Sequence, residues 1–182
     1  MYYAGAFYGT TFAGGLFNEG VLFQLALDDG QWRLAILHPF FGPGDGAQPA
    51  QIIALDGALY GVALNGGTGA GTIFYDTPGP TGWSNATMHA FAGGVDGATP
   101  VGLVSVNGAL YGATASGGQV SGQGFGTVFE VTNLSNTIVH AFGGGPADGA
   151  DPSGLSLYAG RLLGVTSAGG VSNNGTVFAV KP

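Results

Sequence analysis

The chain has 182 residues, of which 45% are hydrophobic and only 7% charged; the net charge is -7 and the mean hydropathy +0.32, values that exclude an ordinary disordered chain. Its three basic residues, Arg33, Arg161 and Lys181, are too few to neutralise a phosphate backbone, which argues against nucleic acid or an anionic membrane surface as partner. Without cysteine there is no disulfide framework or thiolate metal site, and no run approaches the ~20 apolar residues of a membrane span.

Residues 1–44 read as a partial first repeat. Tyr3-Ala4-Gly5 is a hairpin turn, 6–11 a strand, 16–19 a loop and 20–23 a further strand. Asp28-Asp29-Gly30 is a second turn, followed by Trp32 and a strand that ends in His38-Pro-Phe40. Residues 45–95 give the plan again, opening on Asp45-Gly-Ala-Gln-Pro49, with Asp56-Gly57 as the hairpin turn, strands at 58–63 and 71–74, Asp76 placed beside the next turn, Trp83, and His89-Ala-Phe91. Residues 96–147 are the most complete copy. After Asp96-Gly-Ala-Thr-Pro100 comes an apolar run to Val106, then Asn107-Gly108, the dipeptide of a type I′ hairpin, whose two central residues both need positive φ. Strands at 109–114 and 126–131, a turn at 133–136 and a strand at 137–142 complete it. Residues 148–182 start the plan once more from Asp148-Gly-Ala-Asp-Pro152 and reach strands at 161–166 and 175–178, with no fourth strand.

The histidines His38, His89 and His140 are spaced by 51 residues, so the chain is a tandem repeat of about 51 residues with roughly three and a half copies. Glycine and proline, 38 and 9 residues, fall at fixed repeat positions as turn residues do in all-β proteins. Four short strands per copy, joined by tight antiparallel hairpins, predict a β-propeller of four-stranded blades in a single repeat domain. A β-solenoid has shorter coils and lacks such hairpins. The first blade is expected to have lost most of its first strand and the last to lack its fourth, and unpaired edges of this kind are templates for further pairing. A homo-oligomer or filament completed through the terminal blades is therefore expected.

The ordered motifs Leu-Tyr-Gly, Gly-Gly, Gly-Thr-Val-Phe, His-x-Phe and Asp-Gly-Ala-x-Pro resemble the GloVer tandem repeat of bacterial exported and surface proteins, over residues 5–180; the blade period and Gly-Gly pair are also kelch-like. The resemblance implies a secreted, propeller-like repeat protein. A surface of Gly, Ser, Thr, Asn and Ala agrees with an extracellular or cell-surface location. The first residues show neither a basic n-region nor an apolar h-region, and the C-terminal anchors of longer relatives have no counterpart here, which suggests a short variant or a fragment.

Each repeat histidine is followed by an aspartate: Asp45 after His38, Asp96 after His89, Asp148 after His140. An imidazole held by a turn carboxylate would fix the connection between repeats. The rival reading is a ring of metal ligands or acid–base groups, but residues repeated once per blade lie too far apart to share one ion. No metal, cofactor or catalytic group is expected. A glycosidase or lyase would need two carboxylates facing one cleft, for which Glu19 and Glu130 are the candidates outside turns. Trp32 and Trp83 occupy equivalent positions, suited to core packing or, where exposed, to stacking on a sugar ring. The loops at 16–19, 68–70, 119–125 and 171–174 differ in length on a constant scaffold and share a face with the Asp-Gly-Ala turns. Recognition, with an extracellular glycan as one expected ligand, is placed there, on Phe17, Asn18, Glu19, Thr68, Gln119, Gln123, Phe125, Asn173 and Asn174.

Overall fold

In the computed structural model, which describes residues 1–119, 124–132 and 135–182, the chain is all-β. The first sheet holds β1 (Tyr2–Tyr3), β2 (Ala6–Thr11), β3 (Val21–Asp28) and β4 (Gln31–Pro39). The second holds β5 (Ala47–Leu55), β6 (Ala58–Asn65), β7 (Thr72–Gly79) and β8 (Gly82–Ala90). The third contains β9 (Ala98–Val106), β10 (Ala109–Ser116), β11 (Thr127–Thr132) and β12 (Ser135–Ala141); the fourth contains β13 (Gly149–Tyr158), β14 (Arg161–Gly169) and β15 (Val177–Val180). In every sheet the strands lie in sequence order and pair antiparallel, so each repeat folds as a local meander.

Turn chemistry sets the register. The first hairpin of each sheet has two residues of positive φ at its tip: Ala4 and Gly5 (47° and 85°), Asp56 and Gly57 (48° and 84°), Asn107 and Gly108 (52° and 85°), Ala159 and Gly160 (49° and 73°). These are the type I′ values whose twist matches the strands. In sheets 1–3 the third strand also slips register just before its phenylalanine, between Leu22 and Phe23, Ile73 and Phe74, and Val128 and Phe129. The slip is a repeated bulge that re-aims the following side chains.

Two expectations are corrected. Asp76 is not beside a turn: β7 continues to Gly79, so Asp76 sits in mid-strand, paired with Asn85 and wholly buried. The signal missed was the strand's length, since Pro78 and Gly79 read as turn residues yet pair with Trp83 and Gly82. In the turn placed at 133–136, Ser135 and Asn136 belong to β12, while residues 133 and 134 lie outside the described part. The terminal sheets are uneven as expected: β1 has two residues, and the fourth sheet has three strands among the described residues.

Consecutive sheets pack face to face through three clusters of buried side chains. The first joins Tyr8, Leu22 and Phe40 to Leu59 and Phe74; the second joins Val62, Ile73 and Phe91 to Leu110 and Phe129; the third joins Tyr111, Val128 and Phe142 to Leu162 and Phe178. Among the described residues no such cluster joins the first sheet to the fourth.

Within each sheet the phenylalanine of the third strand lies across a glycine of the second. A Cβ on Gly61, Gly112 or Gly164 would stand 2.3 Å from the Cζ of Phe74, Phe129 or Phe178, and one on Gly9 would stand 2.6 Å from that of Phe23. The missing side chain is what lets the ring lie flat on the sheet. Gly112→Ala is expected to cost about 1–3 kcal/mol by overpacking, read as a lower urea midpoint. An unchanged midpoint would show that Phe129 has another rotamer to take.

Candidate functional site

The repeated His-x-Phe to Asp-Gly segment forms the same joint three times. His38 Nε2 lies 2.9 Å from Asp45 Oδ2, His89 Nε2 lies 3.1 Å from Asp96 Oδ1, and His140 Nε2 lies 3.3 Å from Asp148 Oδ2. A carboxylate only accepts, so Nε2 carries the shared proton in each pair. The other task of the aspartate is to close the turn: the backbone N–H groups of Phe41, Ala92 and Gly143 donate to the same carboxylates at 3.1, 2.7 and 2.8 Å. Each imidazole also meets the following phenylalanine edge to face, with centroids 4.7, 4.6 and 4.7 Å apart for Phe40, Phe91 and Phe142. Those three rings are fully buried and touch Phe74, Phe129 and Phe178 of the next sheet at 4.8, 5.2 and 4.9 Å.

Glycines carry the joint across to the next repeat. Gly44 N–H donates to the Gly67 carbonyl, Gly118 N–H to Gly94, and Gly170 N–H to Gly145. Pro49, Pro100 and Pro152 press on Gly20, Gly71 and Gly126, where a Cβ would come within 2.6 Å of the ring. The segment is thus a hinge pin between sheets, and its His and Asp groups are spent on one another. Among the described residues no group of three His, Cys, Asp or Glu side chains is placed to hold a metal ion.

The loop residues divide into two kinds. Asn18 and Asn173 have positive φ, 60° and 55°, and their Oδ1 atoms accept from Gly14 N–H at 3.1 Å and Gly169 N–H at 2.9 Å, so both side chains serve their own turns. Thr68 Oγ1 donates to the Phe91 carbonyl at 2.5 Å, and the carbonyls of Glu19 and Phe125 accept from Gln48 and Asp151 of the next repeat. Exposed on that face are Phe17, which meets Phe41 at 6.1 Å, together with Phe125 and Asn174. Gln119 is half-buried, and Gln123 lies outside the described residues. The two tryptophans part company: Trp83 packs in the first inter-sheet cluster, 5.7 Å from Tyr8, whereas Trp32 is 57% exposed beside Phe7.

The profile of the Gloeobacter/Verrucomicrobia repeat matches residues 2–178. The chain belongs to this family. A search of curated proteins finds no match. As this chain folds it, the Gloeobacter/Verrucomicrobia repeat is one antiparallel sheet, and a His–Asp joint follows three of the four.

A buried carboxylate beside the first joint escaped sequence reading. Asp76 Oδ2 accepts from Asn85 Nδ2 at 2.8 Å, while Oδ1 has no partner. Burial pushes its pKa up; the Asn85 hydrogen bond and His38 oppose that rise, and the nearby Asp45 adds to it. At the third joint the balance goes the other way. Desolvation raises the Asp148 carboxyl, but the N–H groups of Gly143 and Gly149, with His140, outweigh it and leave the pKa below its ordinary value. Asp148 thus contributes stability above pH 3.8 that is lost as pH falls through its folded pKa.

Two outcomes are expected. Asp45→Ala leaves His38 and the Phe41 N–H without their acceptor, at a cost of about 1–3 kcal/mol, seen as a lower urea midpoint. Burial raises the Asp76 carboxyl above its unfolded value of 3.8, so its contribution is fully present below pH 3.8 and is lost as pH rises through the folded pKa. Asp76→Asn should therefore gain stability over the natural chain at pH 7 and show a smaller difference at pH 4. Parallel pH profiles for the two proteins would refute that assignment.

Proposed function

We propose that the chain is a non-catalytic, extracellular β-propeller repeat protein, its four sheets being successive blades, that works as a structural, self-assembling or binding module. The observation that carries this reading is the joint: three copies of one device link each sheet to the next in the same way, and their imidazoles and carboxylates are occupied in doing so. The regular meander of each sheet and the three equivalent packing layers support a radial array. Very low charge and the family's repeat pattern support a location outside the cell. Negative-stain images of particles with sheets arranged around an axis are the expected result; a straight rod of stacked sheets would overturn the propeller.

Among binding functions a lectin-like role draws support from the exposed Phe17–Phe41 pair. Aromatic faces of this kind suit the apolar side of a sugar ring. Signals on a glycan array that fall at least tenfold in Phe17→Ala are expected from that role. A blank array removes the lectin reading and leaves the assembly reading intact.

A further inference from the structure

The two ends of the sheet stack expose faces that every inner sheet covers. On the side of sheet 1 away from sheet 2 lie Tyr2, Phe7, Leu27, Trp32, Leu34 and Ile36, all exposed. Strand register places Leu25 opposite Leu34 and Phe23 opposite Ile36, so the face is apolar from edge to edge. Its rings are in contact, Tyr2 with Phe7 at 5.1 Å and Phe7 with Trp32 at 5.7 Å. The position of Phe7, 44% exposed, is that of Leu59 in sheet 2, which sheet 1 covers completely. On the side of sheet 4 away from sheet 3, Leu163, Val165 and Val177 with Gly154 and Ser156 line a concavity of about 400 Å³. Val177 is 81% exposed, whereas its equivalent Val128 is buried to 0% under sheet 4.

The two faces also differ from the inner ones in a matched way. Where sheet 3 meets the joint of the repeat before it, Asn136 Nδ2 donates to Asp96 Oδ1 at 2.8 Å. Asn85 holds the equivalent place in sheet 2, bonded to Asp76, which lies close enough to feel the charges of His38 and Asp45. Sheet 1 has Leu34 there and Leu25 in place of Asp76. Sheet 4 carries no His–Asp joint among the described residues; β15 is its outer strand. Of the first three sheets, sheet 1 alone thus lacks the amide, and its outer face is apolar at that place. A sugar is a poorer occupant, because the sheet 1 face offers no cluster of polar groups to fix hydroxyls. Large apolar faces of this sort mark contact sites.

We propose that a second copy of this chain docks its sheet 1 outer face onto the sheet 4 outer face, head to tail, continuing the packing that joins the sheets within one chain. The proposal rests on the radial arrangement argued above and commits to sheet faces, not strand edges, as the contact. Sedimentation velocity at micromolar concentration tests it. The natural chain is expected to sediment at no less than twice 18.0 kDa, as a closed pair or a longer series. Leu34→Glu and Val177→Glu, both at exposed positions and checked for fold by circular dichroism, should each sediment at 18.0 kDa alone. Mixed in equal amounts they should give a species of twice that mass, since each retains the face the other has lost. An 18.0 kDa natural chain would overturn the docking while leaving the propeller and its glycan test standing. Association that survives both substitutions would also overturn it, and would return the contact to the strand edges.

Discussion

Each junction between sheets depends on a single column of groups running from a turn carboxylate to a bare backbone. In the second junction Asp96 holds His89, His89 stands edge-on to Phe91, Phe91 meets Phe129, and Phe129 lies on Gly112. The first junction repeats this with Asp45, His38, Phe40, Phe74 and Gly61, and the third with Asp148, His140, Phe142, Phe178 and Gly164. The column starts at the polar rim and ends in the dry interior, so it couples turn geometry to core packing. Edge-to-face aromatic pairs add about 0.5–1.5 kcal/mol each beyond the area they bury, and two such contacts occur per column. Only glycine can end it, because the ring needs the full depth of the sheet surface.

A chain with so few charges must satisfy its backbone by other means, and hydroxyls do much of that work beside the columns. Thr114 Oγ1 and Thr127 Oγ1 are 2.8 Å apart and buried, and Thr127 N–H donates to the first of them at 3.1 Å. The fourth sheet has the same arrangement in Thr166 and Thr176. In the second sheet the partner hydroxyl is gone, Ala63 standing opposite Thr72, and Thr72 Oγ1 donates instead to the Asp45 carbonyl at 3.1 Å. Among the described residues Asp76 and Asn136 are the exceptions, each with one buried oxygen left unpartnered, where an unpaired polar atom costs about 1–3 kcal/mol.

Much of this was legible in the sequence because it is carried by turn residues. Asn107-Gly108 and Asp56-Gly57 declare their hairpins, and Ala4-Gly5 and Ala159-Gly160 follow by alignment although alanine gives no such signal alone. Pairing of each repeat histidine with its aspartate was readable from their near-constant spacing. What stayed hidden depends on which side of a strand faces what. Period-two alternation places Trp32 and Trp83 identically, yet one has a sheet above it and the other does not. Asn18 and Asn173, polar and in loops, look like recognition residues until their carbonyl oxygens are seen bonded within the turn. Asp76 was obscured by Pro78 and Gly79, residues that usually end a strand and here pair within it.

The outer face of sheet 1 is more apolar than the equivalent face of sheet 2. Stacked repeats stay apart from one another when their terminal units carry polar outer faces. Here the substitution runs the opposite way, since Asn85 and Asp76 of sheet 2 become Leu34 and Leu25 in sheet 1, and Leu59 becomes the larger Phe7. Sheet 4 is left with Val177, Val165 and a hollow where sheet 3 presents a filled layer. Docked as proposed, the two unlike faces would make a heterologous contact, which closes into a ring if the rotation per chain divides a full turn and otherwise extends without limit. In such an assembly the aromatic columns, which hold neighbouring sheets together within one chain, would also bear on the rotation between chains and so on whether the series closes.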